Sequence, residues 1–449
     1  MDGSPGIGVA RGTRRSSGFL LLAEVCRKAA RVNPRWPTLT PSGRISHDPA
    51  MKILWNILPT LGSRTGIGWY ARETLAALRE TAGNDEAYLE SPGLVGRSLR
   101  LAWLKARPWF QREEIVSAAA PSEKPRQRSW KAWALEQARL VQDAVQERAL
   151  NRLYKQGRID LYHEPNFLPW SSDVPTVSTF HDLSPILHPE WHPSDRVARF
   201  EALARKAVDR CRHVFTLSDA MCKELASQLG VSADRISRTY MGVREGLAPI
   251  SGASLDSTLS VMGLKAGYFL HVGTLEPRKN LLVVAKAWAS LPAGVREKHP
   301  LVLAGGWGWR CDDLRRFIDG NPGIHRLGYV PEEHLSALYS GALALVFPTL
   351  YEGFGMPAVE MLACGGGVIA SRIPVLLEIM GRHAHYVDPA DISGWRDAIA
   401  LAARQPDWLD APKLGAVEHA SQFTWKATAE STRAGYAKAL RAGSSRLAA

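Results

Sequence analysis

The sequence lacks the features that mark several large classes of protein. Its five cysteines are scattered along 449 residues without a C-x-x-C pair, so neither a disulfide framework nor a zinc site is encoded. No run approaches 18 apolar residues, which excludes a spanning helix. The apolar stretch at residues 18–25 is short and has no small-residue cleavage site after it. We therefore expect no export signal and a reducing, cytoplasmic location.

Acidic residues are fewer than basic ones, and the imbalance is local. The chain has 56 Lys and Arg against 44 Asp and Glu, a net charge of +12. Residues 1–50 carry +5 and residues 95–158 carry +8, which leaves the rest close to neutral. The sequence has no recognisable nucleic-acid module in which basic residues alternate with aromatics, so no nucleic-acid partner is expected. Peripheral contact with an anionic membrane fits the two basic segments better.

Length and patterning predict two α/β domains after a short extension. Residues 1–50 lack periodicity, whereas Met51 opens the buried-strand pattern MKILWNILPTL, so we interpret 1–50 as a disordered extension or a misassigned start. Short apolar runs then alternate with helical periodicities, as in parallel sheets built from βαβ units. The predicted strands are 52–58, 160–163, 176–180 and 213–217, then 268–272, 301–304, 325–327, 343–347 and 367–370.

A Gly-, Pro- and Ser-rich stretch at 241–256 reads as a linker between the two series. We predict an N-terminal domain at 51–245, a C-terminal domain at 246–422, and a terminal helix and tail at 423–449. Two α/β domains in tandem imply a cleft, and ligands in such sheets bind beyond the carboxyl ends of the strands.

Two glutamates bracket the turn PTLYEGFGMPAVEMLACG, residues 348–365. Pro357 suits the first position of a helix, whose free amides would face the cleft and attract an anion. Glu352 lies in the preceding loop and Glu360 is expected on the first helical turn, so both can reach one ligand. Carboxylates in that position suit sugar hydroxyls. The alternative is that Glu360 complements the helix dipole and Glu352 is solvated.

A second motif, YFLHVGTLEPRKN at residues 268–280, places Arg278 and Lys279 between a predicted strand and a helix expected from residue 280. Two adjacent cations at such a junction suit a diphosphate, because Arg offers a bidentate fork and Lys a compact charge. Alone, such a pair would more often be a solvated surface. Its presence in the same predicted domain as the two glutamates favours a ligand clamp.

Together GTLEPRKN, GYVPEEHL and PTLYEGFGMPAVEMLACG resemble the donor-binding domain of retaining glycosyltransferase family 4, and the resemblance covers residues 51–445. It implies the GT-B architecture, in which two Rossmann-like parallel-sheet domains face each other across a cleft and a C-terminal helix crosses back to the first. It also implies a nucleotide-sugar-dependent, metal-independent enzyme without a cofactor. The absence of any D-x-D triplet agrees with metal independence.

The resemblance assigns a role to individual residues. Arg278 and Lys279 would neutralise the diphosphate and the departing nucleotide. Glu352 would hold sugar hydroxyls and Glu360 the ribose. The remaining donor contacts carried over are Gly273, the backbone near the base at Tyr329 and Val330, and the amides of Phe354 and Gly355.

His181, in the HDL sequence that ends predicted strand 176–180, resembles the family's active-site histidine. With Glu352 it forms the predicted catalytic pair, and His163 at the end of a neighbouring strand is a second candidate. The sequence offers no obvious nucleophile to face Glu352 across the site, so a double displacement has no clear second residue. The resemblance therefore implies a front-face reaction in which a donor phosphate oxygen takes the acceptor proton.

Gly66 and Gly68, in TLGSRTGIGWYARETL at residues 60–75, are expected to open a helix where acceptor or phosphate approaches closely. The family usually has a basic residue where Trp69 stands. Gly66, Gly68 and Ala71 also fit a loose dinucleotide fingerprint, but the first glycine lies too far beyond the strand for a dehydrogenase.

A helix predicted at 130–154 carries apolar residues at three- and four-residue steps and basic residues elsewhere. It is either a core-packed helix with a solvated face or a peripheral docking site for anionic lipid.

The sequence thus predicts a retaining hexosyltransferase acting on a glycan or lipid-linked oligosaccharide in polysaccharide biosynthesis. Mannose from GDP-mannose is the preferred donor, because the half containing HDL resembles mannosyltransferases, and other UDP- or GDP-hexoses stay open. A nucleotide-sugar epimerase or a glycan phosphorylase could use the same architecture, although no motif for a Schiff-base lysine is present. A non-catalytic sugar-nucleotide-binding scaffold is the non-enzyme alternative.

Overall fold

A computed structural model describes residues 51–61, 66–91 and 130–444. The expectations for 1–50 and for much of 95–158 lie outside the described residues. Both sheets lie in one compact unit, Asp48–Leu89 with Glu147–Ala449, apart from the last residue of one edge strand.

Two six-stranded sheets form the framework. The strands are β1 (Met51–Trp55), β2 (Glu86–Glu90), β3 (Leu161–Glu164), β4 (Thr176–Phe180), β5 (His213–Thr216), β6 (Ile236–Arg238), β7 (Tyr268–Val272), β8 (Leu301–Ala304), β9 (Ile324–Gly328), β10 (Ala342–Phe347), β11 (Val368–Ser371) and β12 (His385–Val387). Their orders are β2-β1-β3-β4-β5-β6 and β12-β11-β10-β7-β8-β9. The second sheet is parallel throughout, as is the first from β1 to β6.

Helices follow most strands, as βαβ units require. In the described part of the chain they are α1 (Gly66–Glu80), α2 (Trp130–Lys155), α3 (Ser184–Leu187), α4 (Ser194–Arg210), α5 (Asp219–Leu229), α6 (Gly252–Val261), α7 (Leu281–Ala289), α8 (Ala293–Lys298), α9 (Asp312–Asp319), α10 (Leu335–Ser340), α11 (Met356–Ala363), α12 (Pro374–Met380), α13 (Ile392–Arg404), α14 (Asp410–Lys413), α15 (Ala416–Ser421) and α16 (Trp425–Ser444). The end of the predicted linker is therefore helical, because α6 begins at Gly252.

Several interior strands are buried at every position because helices cover both faces of each sheet. The sequences of β4 (TVSTF), β5 (HVFT) and β8 (LVLA) show no polar and apolar alternation, and all their residues are buried. Near-continuous apolar or β-branched runs are what a doubly covered parallel sheet needs. The predicted fold class, two parallel-sheet α/β layers in tandem, is confirmed.

Three strands, β2, β6 and β12, have no counterpart among the predicted ones. All three lie at sheet edges, where only one neighbouring strand constrains the sequence. Two of them are three residues long, too short for a periodicity to emerge. β2 (EAYLE) has charged residues at both ends, so its apolar centre is too brief to signal a strand.

The register of the second sheet brings two loops together. β7 lies between β10 and β8, with Leu270 opposite Leu345. β7 ends at Val272 and β10 at Phe347. Since neighbouring parallel strands leave the sheet at the same edge, the loops at 273–280 and 348–355 begin side by side.

Helix α16 packs on the first sheet, as the predicted crossover helix should. Ala429, Tyr436 and Ala439 belong to the apolar core that also contains residues of β1 and β3. Arg433 donates to Glu86 on β2 at 2.8 Å. The C-terminal helix is thus part of the core of the N-terminal sheet.

The described side chains of α2 show a helix packed along one side. Leu150 and Leu153 are buried, while Arg148 and Arg152 are exposed. This arrangement agrees with the core-packed alternative for that part of the helix. No described helix combines the length and apolarity needed to cross a bilayer.

His163, the second histidine candidate, is a structural residue. It is fully buried, its Nδ1 lies 2.6 Å from the hydroxyl of Tyr436, and its Nε2 lies 2.9 Å from the hydroxyl of Thr179. Burial lowers its pKa well below the usual value, so the ring stays neutral. Both nitrogens are occupied by protein groups, which leaves His181 as the histidine candidate for chemistry.

Replacing Tyr436 by Phe should destabilise the protein, because the buried Nδ1 of His163 loses its partner. We expect a loss of about 1–3 kcal/mol in the free energy of unfolding, measured by denaturant titration of the full chain. Lys426→Ala, at an exposed site of the same helix, is the matched control and should change stability by less than about 0.5 kcal/mol. Equal stability of Tyr436→Phe and wild type would contradict this role of the His163–Tyr436 contact.

Candidate active site

The turn that follows β7 presents two cations. Arg278 and Lys279 lie on a 3₁₀ turn, Pro277–Lys279, rather than in an open loop. Asn280 adopts a left-handed conformation (φ 54°), its side-chain amide donates to the carbonyl of Pro389 at 2.7 Å, and α7 begins only at Leu281. The helix expected from residue 280 thus starts one residue later, because Asn280 serves as the sharp corner between turn and helix.

Gly273 lets this turn approach the sheet closely. Its φ of 143° is a backbone conformation that glycine adopts readily and other residues rarely do. Its amide donates to the carbonyl of Ala304 at 2.9 Å. A Cβ built on Gly305 would lie only 1.9 Å from the carbonyl oxygen of Gly273. The two backbones therefore touch, which fixes the start of the loop that carries Arg278 and Lys279.

Glu352 holds both cations. Arg278 Nη1 donates to Glu352 Oε2 at 2.8 Å and Lys279 Nζ donates to Glu352 Oε1 at 2.5 Å. All three side chains are largely buried, and Arg278 also donates to Glu276 at 2.7 Å. The loops after β7 and β10 are thus joined by a buried, charged cluster.

Within this cluster the pKa of Glu352 is shifted down and that of Arg278 up, toward their charged forms, whereas the pKa of Lys279 is shifted toward its neutral form. Burial alone would raise the pKa of Glu352, but the charges of Arg278 and Lys279 outweigh burial and lower it to about 2. Burial lowers the pKa of Lys279, and the neighbouring Arg278 lowers it further against the opposing effect of Glu352. The Glu352 carboxylate is charged at any physiological pH, whereas Lys279 is the member that titrates most readily.

Glu360 belongs to a second buried cluster, and its predicted position on the first helical turn is wrong. Helix α11 begins at Met356, with Pro357 second, so Glu360 falls on the second turn, where it cannot complement the dipole of free amides. Its Oε1 accepts from Arg244 Nε at 2.5 Å and its Oε2 from the hydroxyl of Tyr339 at 2.6 Å. Glu360 is 2% exposed.

Arg244 connects this cluster to the part of the chain that contains the first sheet, residues 51–238, which is called the first sheet's half of the chain below. Its guanidinium carbon lies 4.5 Å from the centre of the Trp69 ring on α1, and Arg72 covers the same ring at 4.1 Å. A positive charge therefore stands beside position 69 although the residue there is Trp. Sequence reasoning missed Arg244 and Tyr339, because Arg244 lies in the apparent linker and Tyr339 in an ordinary apolar helix.

The structure places His181 against the loop that carries Glu352. A Cβ built on Gly353 would lie 1.8 Å from the carbonyl oxygen of His181, so the two backbones are in contact. His181 Nε2 lies 2.7 Å from the carbonyl of Pro165. Because a carbonyl only accepts, Nε2 carries the proton and Nδ1 is the acceptor nitrogen. Burial lowers the pKa of His181, so the ring is neutral at neutral pH.

The other predicted donor contacts fall in different environments. Phe354 is buried against Phe423, with ring centres 5.6 Å apart. Gly355 is left-handed (φ 98°) and caps the start of α11. Tyr329 is 63% exposed and Val330 packs partly against the core, both beyond β9, the edge strand two places from β7.

On the first sheet's side, Gly66 opens α1 as predicted, and Gly66 is exposed while Gly68 is buried. Across 51–61, 66–91 and 130–444, no three His, Cys, Asp or Glu side chains are grouped so that they could hold a metal ion.

The architecture is the GT-B fold, two parallel-sheet α/β layers in tandem. The fold matches the crystal structure of Anabaena HepE in complex with UDP-glucose, with a TM-score of 0.60 at 18% identity over 85% of this chain and 97% of that one. Sucrose-phosphate synthase from Thermosynechococcus elongatus matches with a TM-score of 0.59 at 17% identity, covering 87% of this chain and 100% of that one.

Sequence comparisons give the family. Models of glycosyl transferases group 1 and of glycosyltransferase family 4 match residues 262–413 and 112–245. The O-antigen chain mannosyltransferase B of Escherichia coli is 31% identical over 391 residues, covering 84% of this chain and 97% of that protein. The O-antigen chain mannosyltransferase RfbU of Salmonella typhimurium is 30% identical over 238 residues, 51% of this chain and 61% of that protein. The chain belongs to glycosyltransferase family 4.

Gly353→Ala should separate the Glu352 loop from His181, because the new methyl group would overlap a backbone carbonyl that has little freedom to move. We expect a stability loss of about 1–3 kcal/mol and a fall in turnover with a nucleotide sugar of roughly tenfold or more. Thermal unfolding and a sugar-transfer assay measure the two effects.

Gly294→Ala is the matched control, because nothing lies within 4 Å of an added Cβ there and the residue is helical. That variant should keep wild-type turnover. Unchanged turnover in Gly353→Ala would mean that the close contact with His181 is not needed for transfer.

Proposed function

We propose that this enzyme transfers mannose from GDP-mannose, with retention of configuration, to a hydroxyl of a growing polysaccharide or lipid-linked glycan. The observation that carries the proposal is the buried cluster of Arg278, Lys279 and Glu352 in contact with the His181 loop, in a chain similar along most of its length to an O-antigen mannosyltransferase. UDP- and other GDP-hexoses are the competing donors within the same proposal.

The cation pair suits the leaving group. As the bond between sugar C1 and the β-phosphate oxygen breaks, negative charge grows on the diphosphate, and preorganised cations in a buried site stabilise that charge strongly. Arg278 and Lys279 are already fixed there by Glu352 and Glu276. The protein therefore spends little reorganisation energy when the charge appears.

Glu352 has two tasks in this scheme. It holds the two cations apart and neutralises part of their charge before the donor arrives, and each carboxylate oxygen keeps lone pairs that can accept from a sugar hydroxyl. Glu360 stands in the same relation to Arg244 and Tyr339, with the ribose as its ligand. In both clusters a protein cation orients the carboxylate that receives the donor's hydroxyls.

His181 would act beside the sugar ring. A neutral imidazole with Nε2–H bound to Pro165 offers Nδ1 as an acceptor toward a sugar hydroxyl. In the front-face reaction, the acceptor oxygen bonds to C1 on the side from which the phosphate departs, and a phosphate oxygen takes the acceptor's proton. His181 stabilises the positively charged sugar in between without exchanging a proton itself.

For the acceptor, we propose only a class of molecule and the part of the protein that faces it, the start of α1. Gly66 and Gly68 at the start of α1 would face the acceptor glycan, and Trp69 and Arg72 of the same helix stack with Arg244, which comes from the segment between the two sheets. The relatives' O-antigen activity favours a polysaccharide acceptor. Peripheral association with the inner face of an anionic membrane, at which such acceptors are assembled, is the corresponding proposal for the basic residues 95–158.

The affinity for GDP should fall at alkaline pH through Lys279. Because the folded-state pKa of Lys279 is lowered from 10.5, its ammonium group loses its proton, and its attraction for the diphosphate, at a lower pH than an ordinary lysine. GDP binding measured by calorimetry from about pH 7 to about pH 10 should therefore weaken in wild type and weaken less in Lys279→Arg. An identical alkaline loss in both proteins would assign the titration to another group.

A donor panel tests the function directly. Purified full-length enzyme is incubated with GDP-mannose, GDP-fucose, UDP-glucose and UDP-galactose. Release of the nucleoside diphosphate, GDP or UDP, is followed with and without a mannose-containing oligosaccharide. We expect GDP-mannose to give the largest kcat/KM.

In His181→Ala, kcat should fall by roughly a hundredfold or more while the KM for the donor changes little.

Each outcome has a defined meaning. Turnover with a UDP-sugar and none with GDP-mannose would overturn the donor while keeping the reaction. Tight nucleotide-sugar binding without release or transfer on any acceptor would favour the non-catalytic scaffold. Full activity in His181→Ala would remove that residue from the mechanism.

A further inference from the structure

Tyr351 belongs to the loop after β10, yet its ring is buried in the core of the first sheet's half of the chain. It immediately precedes Glu352. Its side chain packs in an apolar cluster with Leu183, Met221 and Leu225 and is 7% exposed. A residue of the C-terminal sheet's loop therefore fills a pocket built by α5 and by the segment that follows β4.

The hydroxyl of Tyr351 has polar partners inside that pocket. It donates to Glu224 Oε2 at 2.5 Å, accepts from the amide of Leu183 at 3.1 Å, and lies 3.1 Å from the sulfur of Met221. The backbone of the same residue is held from the other side, because its carbonyl accepts from Arg278 Nη1 at 2.8 Å. Tyr351 is thus fixed to both halves of the site.

These contacts bracket Glu352. Leu183 comes two residues after His181. Its amide donates to the Tyr351 hydroxyl, so Tyr351 holds the His181 segment on one side of Glu352. On the other side, the backbone of Gly353 touches the carbonyl of His181. The position of the Glu352 carboxylate relative to the His181 ring is therefore set by two short contacts rather than by the sheets alone.

Packing alone does not require the hydroxyl, since Phe would fill the same apolar pocket. A half-buried carboxyl group, that of Glu224, and the backbone amide of Leu183 meet at this hydroxyl, so removing it takes a hydrogen-bond partner from each. Burial raises the pKa of both Tyr351 and Glu224, so the phenol keeps its proton and remains the donor. The hydrogen bonds of the Tyr351 hydroxyl therefore serve mainly to fix where the Glu352 loop lies relative to Leu183 and Glu224.

We propose that Tyr351 is a positioning residue for sugar transfer, whose hydroxyl locks the Glu352 loop onto the His181 segment and so fixes the two sides of the donor sugar. The inference rests on the proposed function for its substrate. Without the lock, Arg278 and Lys279 still hold the diphosphate, but Glu352 and His181 no longer meet the sugar together. Binding of the donor is then retained while the transition state is poorly stabilised.

The test is Tyr351→Phe in the full-length enzyme, assayed with GDP-mannose. We expect kcat to fall roughly ten- to a hundredfold, with the KM for GDP-mannose within about twofold of wild type. Tyr386→Phe is the matched control, because the partners of that hydroxyl are the carbonyls of Gly381 at 2.6 Å and Leu376 at 3.2 Å, neither of which is a residue assigned to the site. It should leave kcat unchanged. The proposal would be overturned if Tyr351→Phe raised the KM for GDP-mannose without lowering kcat, or if its kcat equalled that of wild type.

Glu224 provides the second variant. Glu224→Gln keeps an oxygen that accepts from the phenol and should retain most of kcat, whereas Glu224→Leu should reproduce the loss seen in Tyr351→Phe. The double variant Tyr351→Phe/Glu224→Leu should be no worse than either single one, because both remove the same contact. Additive losses would overturn the lock.

A readout without substrate separates this inference from the proposed function. In Tyr351→Phe, hydrogen exchange should speed up at the amide of Leu183 and across residues 349–355, and Tyr386→Phe should leave both regions as in wild type. Unchanged exchange in Tyr351→Phe would overturn the lock whatever the enzyme's donor. Absence of turnover in wild type with every donor would instead overturn the proposed function.

Discussion

The buried ion pairs of Glu352 are the interaction on which the rest of the site depends. Two adjacent cations removed from water repel each other and cost several kcal/mol each to desolvate. One carboxylate with an oxygen for each cation offsets part of both costs, enough to raise the pKa of Arg278, while the pKa of Lys279 stays lowered by burial and by its neighbour Arg278. Removing Glu352 would leave uncompensated charge, so the cation pair and the glutamate form one unit even though 73 residues separate Lys279 from Glu352.

The parallel sheet makes this unit possible. β7 and β10 are neighbours in register, so their carboxyl ends deliver the two loops to one place before any side chain contributes. Tight backbone contacts then refine the geometry. Gly305 against Gly273 sets the first loop and Gly353 against His181 sets the second, and at both positions a side chain would collide with a carbonyl. The glycines near the site act mainly by allowing close approach of backbones.

Sequence reasoning reached the local parts of this arrangement and missed the distant ones. Strand ends, the cation pair and the histidine each leave a pattern within a dozen residues, so β7, β10 and the loops that follow them could be predicted. Arg244 and Glu360 are 116 residues apart, and Tyr351 and Glu224 are 127 apart. An isolated Arg, Tyr or Glu carries no periodicity that would announce a partner at that distance. Such pairs become visible only when the two sheets are placed together.

Position 69 shows how such a distant contact alters an interpretation. The family usually has a basic residue there, and Trp69 in its place left the charge of the acceptor and any direct contact by residue 69 open. The structure places Arg244 over one region of the Trp69 ring and Arg72 within 4.1 Å of its centre. A guanidinium stacked on an indole keeps its charge and its hydrogen-bond donors while its flat face is covered. Arg244 uses those donors on Glu360, so the charge at this point of the molecule is supplied from the chain segment between the two sheets. The consequence is that the Glu360 carboxylate and the start of α1 share one neighbour, Arg244, which links a buried cluster of the second sheet's loops to the first helix of the chain.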